Sequence, residues 1–176
     1  MTRRIYSLIL YLLVPAVLVR LMLRGIRNTG YWHRWGERFG FVESLADRPL
    51  WVHAVSVGEV RAAVPLVAAL EQRYPGQRIL VTTMTPTGSR QVRELFAGRV
   101  AHCYVPYDLP SAVRRFLRRT RPRLALIMET ELWPNLFHFC AAAAVPIVVA
   151  NVRMSEKSML RYQRFAAFTR LTLSQV

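Results

Sequence analysis

The sequence predicts an α/β domain, a parallel sheet with helices on both faces. Five short apolar runs lie between residues 50 and 150, stretches of helical periodicity separate them, and turn signals such as Pro75-Gly76 mark the joins. Strands covered on both faces read as continuous apolar runs, which is the texture here. Composition agrees: 53% of the 176 residues are hydrophobic, too many for a disordered basic tail, and two cysteines cannot build a disulfide scaffold.

The first element is an apolar helix. Ile5 to Val19 is interrupted only by Tyr6, Ser7, Tyr11 and Pro15 and is extended by Leu21, Met22 and Leu23; Arg3 and Arg4 precede it, and Arg20, Arg24 and Arg27 follow. Crossing the hydrocarbon core takes about 20 apolar residues, so the segment spans only if Arg20 snorkels to the interface. A signal peptide would need a small-residue cleavage site, and Leu-Met-Leu-Arg-Gly supplies none. Residues 1–27 are therefore expected to be a membrane anchor, spanning or lying in the interface, with its arginines at cytoplasmic head groups. A buried first helix of a soluble domain is the alternative. Residues 28–48 follow as a basic aromatic connector, in which Tyr31-Trp32-His33-Arg34-Trp35 suits either a head-group layer or packing of the anchor onto the domain.

The α/β domain occupies residues 49–176. Leu50 to Val55 reads as its first strand, and Glu59 to Gln72 as a helix whose apolar residues include Val60, Ala63, Val64, Val67 and Leu70, with Pro65 allowing a kink. A strand over Arg78 to Thr83, a helix over Gly88 to Phe96 and a strand over Ala101 to Val105 come next. A helix over Ser111 to Arg119, a strand over Leu124 to Met128, a helix over Trp133 to Ala143 and a strand over Pro146 to Ala150 complete the pattern. Leu171 to Val176 begins another strand-like run. An open sheet rarely ends in mid-unit, so the chain reads as the first half of something larger.

In such sheets the working residues sit in loops beyond the carboxyl ends of the strands. After the first strand, Ser56-Val57-Gly58-Glu59 delivers a carboxylate at a helix start. After the second, Thr83 to Ser89 offers hydroxyls and backbone donors through Thr85, Thr87 and Gly88. After the fourth, Glu129-Thr130-Glu131-Leu132-Trp133-Pro134-Asn135 brings two carboxylates and an amide, and after the fifth Asn151 precedes Arg153. Each loop also has an ordinary reading. Glu59 suits the first turn of any helix, Thr85, Thr87 and Ser89 are N-cap residues, Trp133-Pro134 is a proline helix start, and Arg153 can pair with a glutamate. Four polar loops at one sheet edge nevertheless make a cleft with carboxylates, hydroxyls, an amide and an arginine.

The net charge of +15 asks for an anionic partner. Of the 25 positive residues only Lys157 is lysine; arginine forks suit phosphate and carboxylate, although a coding bias leaves the same count. Arg114, Arg115, Arg118 and Arg119 read as one solvated helix face, and no aromatic is interleaved for base stacking, so nucleic acid is not the expected partner. There is no Walker loop and no GxGxxG after a strand, which argues against ATP hydrolysis and dinucleotide chemistry. His33, His53, His102 and His138 show no ligand spacing, and no metal site is expected. His53 and His102 read as satisfied core histidines, and Cys103 and Cys140 as buried thiols.

The strings Ser-Val-Gly-Glu, Thr-Thr-Met-Thr-Pro-Thr-Gly, Glu-Thr-Glu-Leu-Trp-Pro-Asn and Asn-Val-Arg-Met-Ser, behind an apolar N-terminal segment, resemble the 3-deoxy-D-manno-octulosonic acid (Kdo) transferases of lipopolysaccharide synthesis over nearly the whole chain. Two features depart from that family: Asn151-Val152-Arg153-Met154-Ser155 replaces the usual Asn-Ala-Arg-Leu-Ser, and a second Rossmann-like domain is absent from this sequence. The resemblance implies the N-terminal Rossmann-like, acceptor-binding domain of a GT-B glycosyltransferase. It further implies inverting transfer of Kdo from CMP-Kdo to a lipid A precursor, lipid IVA, at the cytoplasmic face of the inner membrane, with no metal or other cofactor. Glu59 and Glu131 become the expected catalytic residues, Glu59 as general base. Ser56, Gly58, Thr85, Thr87, Gly88, Glu129, Trp133, Asn135, Asn151 and Arg153 become the expected substrate-binding residues, with Gly58 letting the backbone turn beneath the acceptor. The rivals are a non-catalytic membrane-associated lipid-binding module and a GT-B enzyme with another nucleotide-sugar donor.

Overall fold

The computed structural model describes residues 2–129, 131–152 and 166–174. Five strands, β1 (Leu50–His53), β2 (Ile79–Thr83), β3 (Ala101–Tyr104), β4 (Leu124–Met128) and β5 (Ile147–Ala150), form one sheet in the order β3-β2-β1-β4-β5. Every neighbouring pair is parallel, and Leu50 in the central strand lies opposite both Ile79 and Leu124. The helices are α1 (Arg3–Arg27), α2 (Trp35–Arg38), α3 (Val57–Arg73), α4 (Pro86–Phe96), α5 (Pro110–Thr120), α6 (Pro134–Ala142) and α7 (Ala166–Leu173), with a 3₁₀ turn at Thr29–Trp32. The chain winds outward from β1 to β3 and then returns to β4. The carboxyl ends of β1 and β4 therefore flank the point where the winding reverses, the usual crevice of such sheets.

Alternation along each strand sorts its side chains into two cores. Leu50, Val52, Ile79 and Val81 pack with Val60, Ala63 and Val67 of α3 and with Val92 and Phe96 of α4. Trp51, Leu80, Ala125 and Ile127 pack with Val113 and Phe116 of α5 and with Leu136, Phe137 and Cys140 of α6, and Val42 and Leu45 join this second core. Trp51 is fully enclosed, its ring 4.9 Å from that of Phe116. Truncating such an aromatic costs about 3–5 kcal/mol. Both cysteines are free and buried, and burial pushes the Cys140 thiol up to about 12.

The sequence predicts the strand and helix cores well and fails at one element. Leu171 opens a strand-like run, but α7 carries it as helix from Ala166 to Leu173. A short apolar run has no decisive period of its own, and the preceding Ala166 and Ala167 are strong helix formers.

The segment before β1 is tied into the domain. The Arg34 guanidinium bonds Glu37 at 2.7 Å, and Glu37 Oε2 accepts from the Tyr104 backbone N–H at 2.7 Å. The α5 arginines do not form the single solvated face expected. Arg115 donates to the Phe39 carbonyl and Arg119 to the Val42 carbonyl, which anchors this segment, whereas Arg114 and Arg118 turn toward α6. Successive residues on a helix are about 100° apart, so adjacent arginines need not share surroundings.

α1 is long and apolar enough to cross a membrane by length and composition, and it is a candidate membrane anchor. It lies lengthwise against the domain. The Tyr6 hydroxyl donates to Asp108 Oδ2 at 2.9 Å, Ser7 Oγ to Asn135 Oδ1 at 3.0 Å, and the Tyr11 hydroxyl to Ser111 Oγ at 2.9 Å. At the other end Trp32 folds back, donating from Nε1 to the Met22 carbonyl at 3.1 Å. Gly25 is needed there, because a Cβ on it would sit 1.7 Å from that indole nitrogen. The opposite face of α1, including Ile5, Leu8, Leu12, Val19, Leu23 and Ile26, is exposed.

Candidate active site

Because β1, β2, β4 and β5 are all parallel, the four loops singled out above leave the sheet at one edge. At the centre is Glu59. Ser56 caps α3 by accepting from the Glu59 N–H at 3.2 Å, and the Glu59 carboxylate reaches back so that Oε2 accepts from the Val55 N–H at 2.7 Å. This is a capping box shifted by one residue. It holds the carboxylate in one orientation and leaves Oε1 with no hydrogen bond among the described residues. Burial raises the affinity of Glu59 for a proton, opposed by the Val55 and Ser56 bonds and reinforced by the charges of Glu131 and Glu129. Those three carboxylates therefore share one electrostatic neighbourhood.

The loop after β4 is shaped by backbone strain. Glu129 adopts φ of 58°, a left-handed conformation that non-glycine residues avoid, while its N–H continues the ladder to the Ala150 carbonyl at 2.8 Å. Trp133 precedes Pro134 at the start of α6 and donates from Nε1 to Glu131 Oε2 at 2.7 Å, which fixes that carboxylate. The Trp133 ring meets His53 edge to face at 5.5 Å. Asn151 is exposed and also left-handed, with φ of 54°. Arg153 and Thr130 lie outside the described residues.

The loop after β2 is mostly self-satisfied. Thr85 caps α4 by accepting from the Gly88 N–H at 3.1 Å, and its hydroxyl meets that of Thr87 at 3.0 Å. Gly88 is buried, and a Cβ there would press on Thr83 and Thr85 at 3.2 Å, so the glycine serves packing of α4 onto β2. Gly58 differs. It lies in the first turn of α3, outside the left-handed region, and a Cβ would meet only Ser56 Oγ at 3.8 Å. No turn requires glycine there; what its missing side chain leaves is open surface beside Glu59.

Asn135 is placed differently from the other expected binding residues. It is fully buried: Nδ2 donates to the Asp108 carbonyl at 2.6 Å, and Oδ1 accepts from Ser7 and from Arg3. Its partner Asp108 was not singled out in the sequence. Asp108 accepts from the Leu136 N–H at 2.7 Å, the Asn135 N–H at 3.1 Å and the Tyr6 hydroxyl, so it caps α6 and holds α1 at once. Burial pushes its carboxyl up to about 7, against the pull of these donors.

Two further polar groups lie behind the cleft. His53, at the end of β1, is fully buried; its Nδ1 meets Thr82 Oγ1 at 2.9 Å, and its Nε2 has no partner among the described residues, so it is half satisfied there, not satisfied as expected. Burial lowers it to about 4, which keeps it neutral. Arg38 is also enclosed. It donates to the Met84 carbonyl at 2.9 Å and stacks on Tyr104 at 4.2 Å, while Nε and Nη2 have no partner among the described residues. Nothing in the local sequence marks one arginine among so many for burial. Among the described residues no three His, Cys, Asp or Glu side chains are placed to hold a metal ion.

Comparison with known proteins bears on the same chain. A family model described as 3-deoxy-D-manno-octulosonic-acid transferase (kdotransferase) matches residues 33–176. The chain is 41% identical over 179 residues to the 3-deoxy-D-manno-octulosonic acid transferase of Haemophilus influenzae, covering 100% of this chain and 42% of that protein. It is 41% identical over 169 residues to the enzyme of that name from Bordetella pertussis, covering 90% of this chain and 39% of the relative. To a probable mitochondrial 3-deoxy-D-manno-octulosonic acid transferase of Arabidopsis thaliana it is 34% identical over 163 residues, 90% of this chain and 36% of the relative. The chain thus spans about two-fifths of the length of these relatives.

Proposed function

This chain belongs to the 3-deoxy-D-manno-octulosonic acid transferase family, and from that premise we propose that its sheet is the acceptor-binding domain of an inverting, metal-independent GT-B enzyme moving Kdo from CMP-Kdo to a lipid A precursor. The observation that carries the proposal is Glu59. Its carboxylate is held at the winding reversal, with one oxygen tied to Val55 and the other unbonded among the described residues, and burial raises its basicity. Direct displacement needs the acceptor hydroxyl to lose its proton as its oxygen bonds to the anomeric carbon of Kdo. The bond from that carbon to the phosphate oxygen breaks at the same time, CMP leaves, and Glu59 Oε1 takes the proton.

A positioned base contributes roughly 10²–10⁴-fold. Glu131, fixed by Trp133, sits near enough to raise the proton affinity of Glu59, and its other oxygen, unbonded among the described residues, would bind sugar hydroxyls. Gly58 leaves room for the acceptor above the helix start. Ser56, Thr85, Thr87, Glu129, Asn151 and Arg153 supply the remaining acceptor contacts, and a second domain holds most of the nucleotide. On this reading α1 is the anchor that keeps the domain at the cytoplasmic face of the inner membrane, a role supported by its length and apolar composition.

Glu59→Gln tests the assignment in the full-length gene product, assayed with CMP-Kdo and lipid IVA. Glutamine still accepts from the Val55 N–H, so the start of α3 survives while the base is lost. Transfer should fall roughly 10²–10⁴-fold with the melting temperature unchanged. A rate near wild type removes Glu59 as the base, and transfer from another nucleotide sugar but not from CMP-Kdo overturns the donor.

A further inference from the structure

We propose that the groove between α5 and α6 binds the head group of an anionic phospholipid, at a site separate from the carboxyl-edge cleft. The groove encloses about 580 Å³ and is rimmed by Arg48, Arg114, Arg118 and Arg121 over a floor that includes Leu117 and Phe139. No acidic residue lines it. Among the described residues the ion pairs are Arg34 with Glu37, Arg78 with Asp47 and Arg99 with Glu71, all elsewhere. Arg114 spends Nε on the Pro110 carbonyl at 3.3 Å and stacks on Phe139 at 5.3 Å.

Four like charges around one hollow repel one another unless an anion enters, and guanidinium forks match phosphate oxygens in pairs. Charge alone would suit any soluble phosphate, but two features favour a lipid. The floor is apolar, which a bare phosphate would leave wet. One ring of the groove's lining also touches the candidate anchor: Arg3 of α1 stacks on the same Phe139 ring as Arg114, at 5.4 Å. The basic hollow thus adjoins the start of a helix whose outward face is apolar along its length. A phosphate with acyl chains meets both surfaces at once, as polybasic patches beside membrane helices do. The site would fix how the domain is turned on the bilayer and is independent of glycosyl transfer.

The test is flotation of the 176-residue chain with phosphatidylcholine vesicles, with and without phosphatidylglycerol. An arginine near an anionic surface contributes about fivefold to partitioning, so Arg118→Gln with Arg121→Gln should lower phosphatidylglycerol-dependent binding roughly thirtyfold. Binding to neutral vesicles, which reads α1, should not change. Arg73→Gln with Arg90→Gln removes the same charge from exposed positions on α3 and α4 and should have a far smaller effect. All four residues are exposed, and unchanged melting temperatures confirm that both variants fold. Equal losses in the two variants would show diffuse attraction and overturn the site, as would wild-type binding by the first. Loss of the phosphatidylglycerol-dependent binding on adding inorganic phosphate at constant ionic strength would reassign the groove to a free anion.

Discussion

Replacing Asp108 with asparagine tests the clasp that closes α1 onto the sheet. The carboxylate accepts on Oδ1 from Leu136 and on Oδ2 from Asn135 and Tyr6, at distances from 2.7 to 3.1 Å, and the residue is 7% exposed. An amide of the same shape accepts on one side only, so its NH₂ must face at least one buried donor. A hydrogen bond to a charged group is worth about 1.5–3 kcal/mol, and a donor left unpaired costs about 1–3 kcal/mol. The two effects overlap, and a loss of about 3 kcal/mol is expected. For a chain of this length about 1 kcal/mol moves the melting temperature by about 2–4 °C, which predicts a fall of about 6–12 °C. The measurement is thermal unfolding in mild detergent at pH 8, above the value of about 7 to which burial raises this carboxyl, so that the wild type is ionised. Tyr6→Phe and the double variant complete a cycle that isolates the contribution of α1. A melting temperature within about 2 °C of wild type would refute the claim that these donors depend on Asp108.

Thr82→Val should destabilise the chain by about 2–4 kcal/mol in urea unfolding, because one hydroxyl serves both Trp51 Nε1 at 2.8 Å and His53 Nδ1, and valine leaves both ring nitrogens unpaired in the core; a change under about 0.5 kcal/mol would show that the hydroxyl is dispensable. The contribution of His53 to stability should fall on acidification, opposite in sign to that of Asp108, whose carboxyl burial raises to about 7. Buried His53 has a value of about 4 against an ordinary 6.5, so the stability carried by its neutral form is complete above pH 6.5 and is lost as pH falls toward 4, about 3 kcal/mol in all. Burial, then Arg34 and Arg93, lowers His102 in the same direction. His53→Gln should flatten the pH profile, and a parallel profile would place the acid sensitivity elsewhere.

The sheet and its order of elements were legible because each strand is an unbroken apolar run and each covering helix keeps its own period. The edge at which Glu59, Glu129 and Glu131 gather followed from the same pattern, since parallel strands send alternate loops to one side. What stayed hidden depends on partners far along the chain. Asp108 looks like an ordinary loop aspartate until Tyr6, 102 residues away, is brought to it. The string containing Asn135 suggested a ligand contact, and only the neighbouring α1 shows that its side chain is already engaged. The α5 arginines were misread because their sorting is decided by the segment at Phe39 and Val42, not by the helix itself.

The docking of α1 has a consequence for biosynthesis. The helix leaves the ribosome before its docking partners: Asp108 follows Tyr6 by 102 residues, and Ser111 and Asn135 come later still. At about 5–20 residues per second the helix waits some 5–20 s for its own domain. Throughout that interval both of its faces are uncovered, including the one that will later meet α5 and α6. An apolar helix in water needs shelter from the outset, so whatever covers α1 in that interval, a bilayer surface or a chaperone, takes part in folding before the sheet exists.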